Sequence, residues 1–324
     1  MRFIRFTNTM VSTLLLSFFT ILANAQIITN VYFPMPRNIC RKVPVDDCRL
    51  AVTYDFSFTA DERGTIRHDR TVLEIGEKKT RYYSTYAERQ DSIFFEMYQN
   101  DWVPTNRLGK VDWNNCVRWL SEDERYLKDA WFYDVTSTIG GNTMLVSQRF
   151  ASDEYQYEES LPLFQWEVIP GEREILGYNC NCARTNFRGR EWIVWFSTEI
   201  PYSMGPWKLC GLPGLILKAT DSKNLFDWTA IGLQQPDDRS IYEFGEKDVR
   251  TSDKPIPYNT GQIKIQSSRK QIADFWKRRF LLPITLLPLD GKDHGTMGAD
   301  GKPVKITMVP VTSKKYYPEL EPEL

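Results

Sequence analysis

With 324 residues, 42% hydrophobic and 14% aromatic, the chain carries enough apolar material for a sizeable core in one large or two ordinary domains. Its 41 basic and 42 acidic residues leave a formal net charge of −1, a balance that argues against a nucleic-acid partner, whose phosphates call for a basic face. Only two histidines are present, His68 among charges and His294 in a glycine-rich loop, so a multi-histidine metal site or a histidine-based triad lacks its parts.

The N-terminus reads as a secretory signal. Arg2 and Arg5 precede the apolar run Val11 to Leu22, and the small-residue site Ala23-Asn24-Ala25 follows, placing cleavage before Gln26. A spanning helix needs about 20 apolar residues, so this run is too short to serve as an anchor, and no transmembrane segment is expected in the mature chain. Gln26 is not a cysteine and offers no thiol for lipid attachment. Losing Arg2 and Arg5 leaves 41 − 2 = 39 basic against 42 acidic residues, a mature net charge of −3. The expected division is therefore a signal at 1–25, one β-rich domain at 26–309 and a disordered acidic tail at 310–324, where proline and glutamate leave little to bury. The expected address is the periplasm, the outer-membrane surface or the exterior.

Gln26 to Arg49 reads as an irregular lead-in, with prolines at 34, 36 and 44 and a small loop between Cys40 and Cys48. Leu50 to Thr59 then alternates, with Val52, Tyr54, Phe56 and Phe58 on one side and Thr53, Asp55, Ser57 and Thr59 on the other, as a half-buried antiparallel strand does. Thr65 to Ile75 and Lys79 to Ser84 continue the pattern around a Gly76-Glu77 turn. Helical spacing of Trp113, Val117, Leu120, Leu127 and Trp131 predicts a helix, in one piece or two, before strands resume at Thr143 to Phe150. A long hairpin is predicted with arms near Glu174 to Phe187 and Glu191 to Ser197, turned by Arg188-Gly189-Arg190. Leu225 to Leu233 and Ile241 to Asp248 add strands. Ser267 to Phe280 is the clearest helix, with Ser268 and Gln271 at capping-box spacing and Ile272, Phe275, Trp276 and Phe280 on one face. Short strands with turns between them, and no alternation with long helices, give a mainly antiparallel β fold with a few helices.

In an exported chain six cysteines point to disulfides: Cys40, Cys48, Cys116, Cys180, Cys182 and Cys210. Cys40 and Cys48 can close a loop locally. Cys180 and Cys182 share one face of a strand, so they do not pair with each other, and one is expected to meet Cys210 or Cys116. The competing use of Cys180, Cys182 and Cys210, with Met204 nearby, is a soft-metal or redox site.

Gly205 to Asp221 (GPWKLCGLPGLILKATD) is the densest stretch of backbone signals. Pro213-Gly214 suits the centre of a type II turn, with glycine supplying a positive φ. Leu215, Ile216, Leu217 and Ala219 then form a nearly continuous apolar arm, and Asp221 to Asn224 turns into a second strand. On the hexapeptide Gly211-Leu212-Pro213-Gly214-Leu215-Ile216 the chain closely resembles the GLPGLI family, which takes its name from that motif. The likeness extends through Trp166, Ile175 to Tyr178, Cys180, Cys182-Ala183, Phe187 to Arg190, Trp195-Phe196, Ile200-Pro201 and Gly205-Pro206-Trp207. It is strong over Trp166 to Asp221 and weak over Tyr54 to Ser84. The family has no established activity. The resemblance implies a Gram-negative envelope of the Bacteroidetes type and a LolA-like fold, a strongly curved half-barrel sheet whose concave apolar face is covered by helices and loops. The residue pattern alone is equally compatible with a β-sandwich.

No nucleophile elbow, phosphate-binding loop or HExxH motif occurs. Asp153, Glu154, Glu158 and Glu159 supply carboxylates for glycosidase-type work, set against the reading of a solvated strand edge. Of ten tryptophans, Trp166, Trp195 and Trp207 are the candidate ligand-binding rings, Trp207 because it lies in a Gly-Pro-Trp loop. The expectation is a non-enzymatic envelope protein that binds a hydrophobic ligand or a partner protein without a cofactor. The alternatives are the soft-metal or redox protein and a carboxylate-based hydrolase.

Overall fold

In the computed structural model, residues 40–59, 64–89, 91–92, 133–150, 153–161, 163–247 and 264–274 are described. The predicted helix at 113–131, Cys116, His294, the signal and the tail lie outside them. Leu50–Thr59 sets the pattern, since Val52, Tyr54, Phe56 and Phe58 are buried at alternate positions as the sequence predicts.

In chain order the strands are β1 (Cys40–Asp47), β2 (Leu50–Thr59), β3 (Ile66–Ile75), β4 (Lys79–Ser84), β5 (Tyr133–Thr138), β6 (Thr143–Phe150) and β7 (Asp153–Ser160). There follow β8 (Glu167–Ile175), β9 (Tyr178–Phe187), β10 (Arg190–Ser197), β11 (Leu215–Asp221), β12 (Phe226–Gln234), β13 (Ser240–Lys247) and β14 (Lys264–Gln266). Short helices lie at 85–89 (α1) and 269–274 (α2). One meander runs from β2 to β7 and another from β8 to β12; pairing of β12 with β2 fuses them into a 12-stranded sheet. Its neighbours are antiparallel except for β14, which adds to β7 in parallel. β8 and β14 are its free ends, so the sheet does not close into a barrel.

It is nevertheless strongly curved. Seven strands separate β7 from β10, eight spacings that would span about 38 Å if flat. Yet Arg188, in the β9–β10 turn, places two guanidinium nitrogens 2.7 Å from the carboxylate oxygens of Glu159 on β7. The enclosed side is the main core. Phe56 and Trp228 stack with centroids 4.4 Å apart, Trp192 packs on Trp228, and Trp228 Nε1 donates to Tyr82 Oη at 2.9 Å.

Local signals hold well. Ser268 N donates to Gln271 Oε1 at 2.7 Å and Gln271 N to Ser268 Oγ at 3.2 Å, so the capping box forms, and α2 delivers Ile272 to the core. The β11–β12 hairpin forms as expected, with Asp221 Oδ1 accepting the amides of Leu225 and Phe226.

Three expectations are corrected. The lead-in before Arg49 is not wholly irregular, because β1 pairs with β13 nearly two hundred residues later. The two form a ribbon over the other side of the sheet, where Cys48, Ala51, Val72, Tyr83 and Ile241 make a smaller core. The long arm expected from Glu174 breaks at Leu176-Gly177, both with positive φ (53° and 83°), into β8 and β9. Nor are the described acid side chains of β7 a solvated edge, since Glu154 and Glu159 are buried and Glu158 is exposed.

Candidate functional site

The signature segment folds as a loop that fills the enclosed side. Its ends meet where Gly211 N donates to Ser203 O at 3.1 Å and Met204 bridges Cys210. Inside, Leu209 N closes a turn on Pro206 O at 3.1 Å, with Trp207 at a φ of 55° in a position usually given to glycine. A bulky side chain there is strained. That turn drives Trp207, Lys208 and Leu209 inward, each 3% exposed or less.

Trp207 packs on Trp192 (5.5 Å between centroids) and Phe187 (6.3 Å). Lys208 Nζ donates to Tyr157 Oη and Glu159 Oε1, both at 2.9 Å, and lies 5.3 Å from the Trp207 ring centroid. The loop is thereby pinned to β7, on the far side of the curved sheet. Burial works to raise Glu159, but the hydrogen bonds and charges of Arg188 and Lys208 outweigh it and hold its carboxyl down at about 2.

The glycines of the motif act differently from expectation. Gly214 does not have a positive φ, and the type II turn is absent because Leu215 N donates to Ile200 O at 3.0 Å instead of closing on Leu212. Glycine is required there for space: a Cβ would stand 2.1 Å from Ser197 O. Gly205 is the same case, with Ile216 Cβ at 2.8 Å, so the two backbones approach closely and Ile216 N reaches Met204 O at 2.9 Å. Gly211 carries the positive φ, 96°. Pro206 and Leu212 are buried, as is the arm from Leu215 to Leu217, while Pro213 is exposed.

The three candidate tryptophans do not converge. Trp166 donates to Cys210 O at 2.8 Å and braces the loop. Trp207 is interior, which corrects its placement as a ring presented to partners. Trp195 alternates with the core residues Val194 and Phe196 and meets the Arg173 guanidinium 4.6 Å from its centroid.

The disulfide expectation is overturned where it can be followed. Cys48, Cys180, Cys182 and Cys210 are free thiols. Cys40 opens β1 and Cys48 follows its last residue, so the extended backbone between them, at about 3.3 Å per residue, holds them more than about 20 Å apart, far beyond a disulfide's reach. Cys180 belongs to the main core, whereas Cys182 lies against Gly171 and pairs with Trp195. Burial pushes the Cys180 and Cys210 thiols up to about 11 and also raises Cys48 and Cys182. Among the described residues no three His, Cys, Asp or Glu side chains converge as a metal site, so the cluster the soft-metal alternative requires does not form there.

The carboxylate pair fares no better on β7. Glu154 and Glu159, five residues apart, face opposite sides of the sheet. The side opposite the main core holds a second set of ion pairs: buried Arg81 with Asp134 and the half-buried Glu88, buried Arg149 with Asp91, and half-buried Arg239 with the buried Glu74. Burial raises Glu74 above the usual carboxylate range.

A cleft of about 430 Å³ opens beside the base of the loop. Glu199, Ile200, Pro201 and Tyr202 form one wall, with Tyr178 from β9. Leu50, Leu233, Gln234 and Gln235 form the other, at the ends of β2 and β12. Sequence reasoning missed this cleft, whose lining comes from four separate stretches. It also missed Lys208, although a lysine inside an otherwise apolar signature was a usable signal.

No family model matches the chain, and no curated protein matches it. Among solved structures, PNGF-II in its C2 crystal form is 15% identical with a TM-score of 0.41, covering 74% of this chain and 35% of its own. This chain thus spans about a third of the length of PNGF-II. A LolA superfamily protein from Nitrosomonas europaea is 8% identical with a TM-score of 0.21, covering 63% of this chain and 95% of its own. A putative outer membrane lipoprotein-sorting protein domain from Vibrio parahaemolyticus is 7% identical with a TM-score of 0.19, covering 59% and 86%.

Proposed function

We propose that the chain is an exported, non-enzymatic binding module of the cell envelope that takes its ligand in the cleft beside the signature loop, not inside the curved sheet. Export rests on the signal-like first 25 residues, and the envelope setting on the resemblance of Gly211 to Ile216 and its surroundings to the GLPGLI family. One observation carries the choice of site. The concave side that could hold a hydrophobic ligand is occupied by Trp207, Lys208 and Leu209 of the chain itself, and Lys208 is fixed to Glu159. The cleft, in contrast, is open, and its volume lies within the range of about 300–1,000 Å³ usual for ligand sites.

The test is photocrosslinking in the host envelope with a benzophenone amino acid at Tyr202, and with the same group at the exposed Ile66 as control. Adducts of defined mass from position 202 alone are expected. None from 202, or the same adducts from both positions, would overturn the assignment. A lipid held one-to-one in native mass spectrometry of the unmodified chain, and held equally by Tyr202→Ala, would return the ligand to the interior.

A further inference from the structure

We infer that the cleft recognises a neutral saccharide, an inference that rests on the cleft being the binding site. The groups lining it have the chemistry of a sugar's two surfaces. A pyranose presents C–H groups on its faces and hydroxyls, each both donor and acceptor, around its rim. Half-buried Tyr178 and Tyr202 offer rings for such a face, and Leu50, Ile200 and Leu233 supply an aliphatic floor. Gln234 and Gln235 are exposed and add two amides, each with a carbonyl acceptor and an NH₂ donor able to span adjacent hydroxyls. Neither these amides nor the two phenol hydroxyls are engaged by another described residue. A ligand would therefore engage them without breaking a bond to any described residue.

Charge and topology set aside the competing ligand classes. Among the described residues no lysine, arginine or histidine lines the cleft and its one carboxylate is Glu199, so a phosphate, a lipid headgroup or a peptide carboxylate meets no cation among them. Glu199 Oε1 accepts the Asn179 amide at 3.0 Å, which holds that carboxylate at the rim. An extended peptide binds best along an unpaired strand edge, but β2, β9 and β12 all have neighbours on both sides.

The experiment is saturation-transfer difference NMR on the mature chain with lactose, maltose and N,N′-diacetylchitobiose, and with tetra-alanine and decanoate as probes of the other classes. Transfer to ring C–H protons of at least one saccharide is expected. Affinity should fall about ten-fold in Tyr202→Ala and in Gln234→Ala, the loss of roughly one stacking or hydrogen-bond contribution, at an unchanged melting temperature. If the saccharides stay silent while tetra-alanine or decanoate gives a Tyr202-dependent signal, the sugar assignment falls and the cleft as binding site stands. If every probe is silent, or none depends on Tyr202, both fall.

Discussion

The two sides of the sheet both bury a carboxylate, and they treat it oppositely. Glu159, on the enclosed side, receives a bidentate arginine and a lysine with 0% side-chain exposure. Glu74, on the other side, takes Tyr83 Oη at 3.0 Å and Arg239 at 2.6 Å on a single oxygen, and its second oxygen has no partner among the described residues. Arg239 is also 35% exposed, so solvent screens its charge. Burial alone would raise both acids, and the number and burial of the donors decide which one is pulled down. On one side a charge locks a loop in place; on the other the same type of residue is held short of donors.

The sharpest way to break this picture is at the loop's closest backbone approach. Gly214→Ala should cost about 3–5 kcal/mol, because the added methyl meets Ser197 backbone atoms that cannot move without opening the sheet. Gly211→Ala is the matched control. It has the positive φ, but its nearest contact would be Trp166 Nε1 at an ordinary 3.6 Å, so only strain of about 1–2 kcal/mol is expected. Denaturant melts of the two variants decide it. An equal loss in both would mean that the close approach at Gly214 costs no more than the positive φ at Gly211, and that the Ser197 backbone yields to the added methyl.

Next in size is Lys208→Met, which keeps the stem and removes the charge. About 3 kcal/mol should be lost, since a buried acid then keeps only Arg188, and Arg188 is partly exposed. A loss below about 1 kcal/mol, read from the same melts, would show that the pin contributes little and that apolar packing of Trp207 holds the loop.

Why Lys208 escaped sequence reading, while the elements around it did not, has a physical cause. The alternation of Val52 to Phe58, the Ser268–Gln271 box and the Arg188-Gly189 turn are decided by residues a few positions apart, and each is readable. Lys208 and Glu159 meet only because twelve strands curve, which no local period encodes. The same holds for β1, whose partner β13 lies far along the chain, and for the cysteines, whose separation follows from that pairing. Gly211 and Gly214 are indistinguishable in the sequence, since a glycine needed for space and one needed for φ carry the same letter. Trp207 was misplaced because a Gly-Pro-Trp turn resembles a surface loop until the sheet folds around it.

A smaller effect separates the two carboxylates by pH. The folded Glu159 sits at about 2, below its ordinary 4.5, so its contribution is present above 4.5 and is lost as pH falls through about 2. Stability of the wild type should therefore drop between those values, and Glu159→Gln should lack that drop. Parallel slopes in acid titrations of the two proteins would contradict the depressed value.

The smallest effect is expected at Glu74 and has the opposite sign. Burial raises its folded value, so the protonated form is favoured by folding, and that contribution is present below 4.5 and lost as pH rises through the folded value. Glu74→Gln mimics the neutral form, retains an acceptor for Tyr83 and leaves Arg239 with access to water. At pH 7 it should lie within about 0.5 kcal/mol of wild type or above it, with the difference moving in favour of the variant between pH 5 and pH 8. Paired guanidinium melts at those two values measure it. A variant clearly weaker at pH 8 than at pH 5 would mean that Arg239 compensates Glu74 as fully as Lys208 and Arg188 compensate Glu159, and the contrast between the two sides of the sheet would disappear.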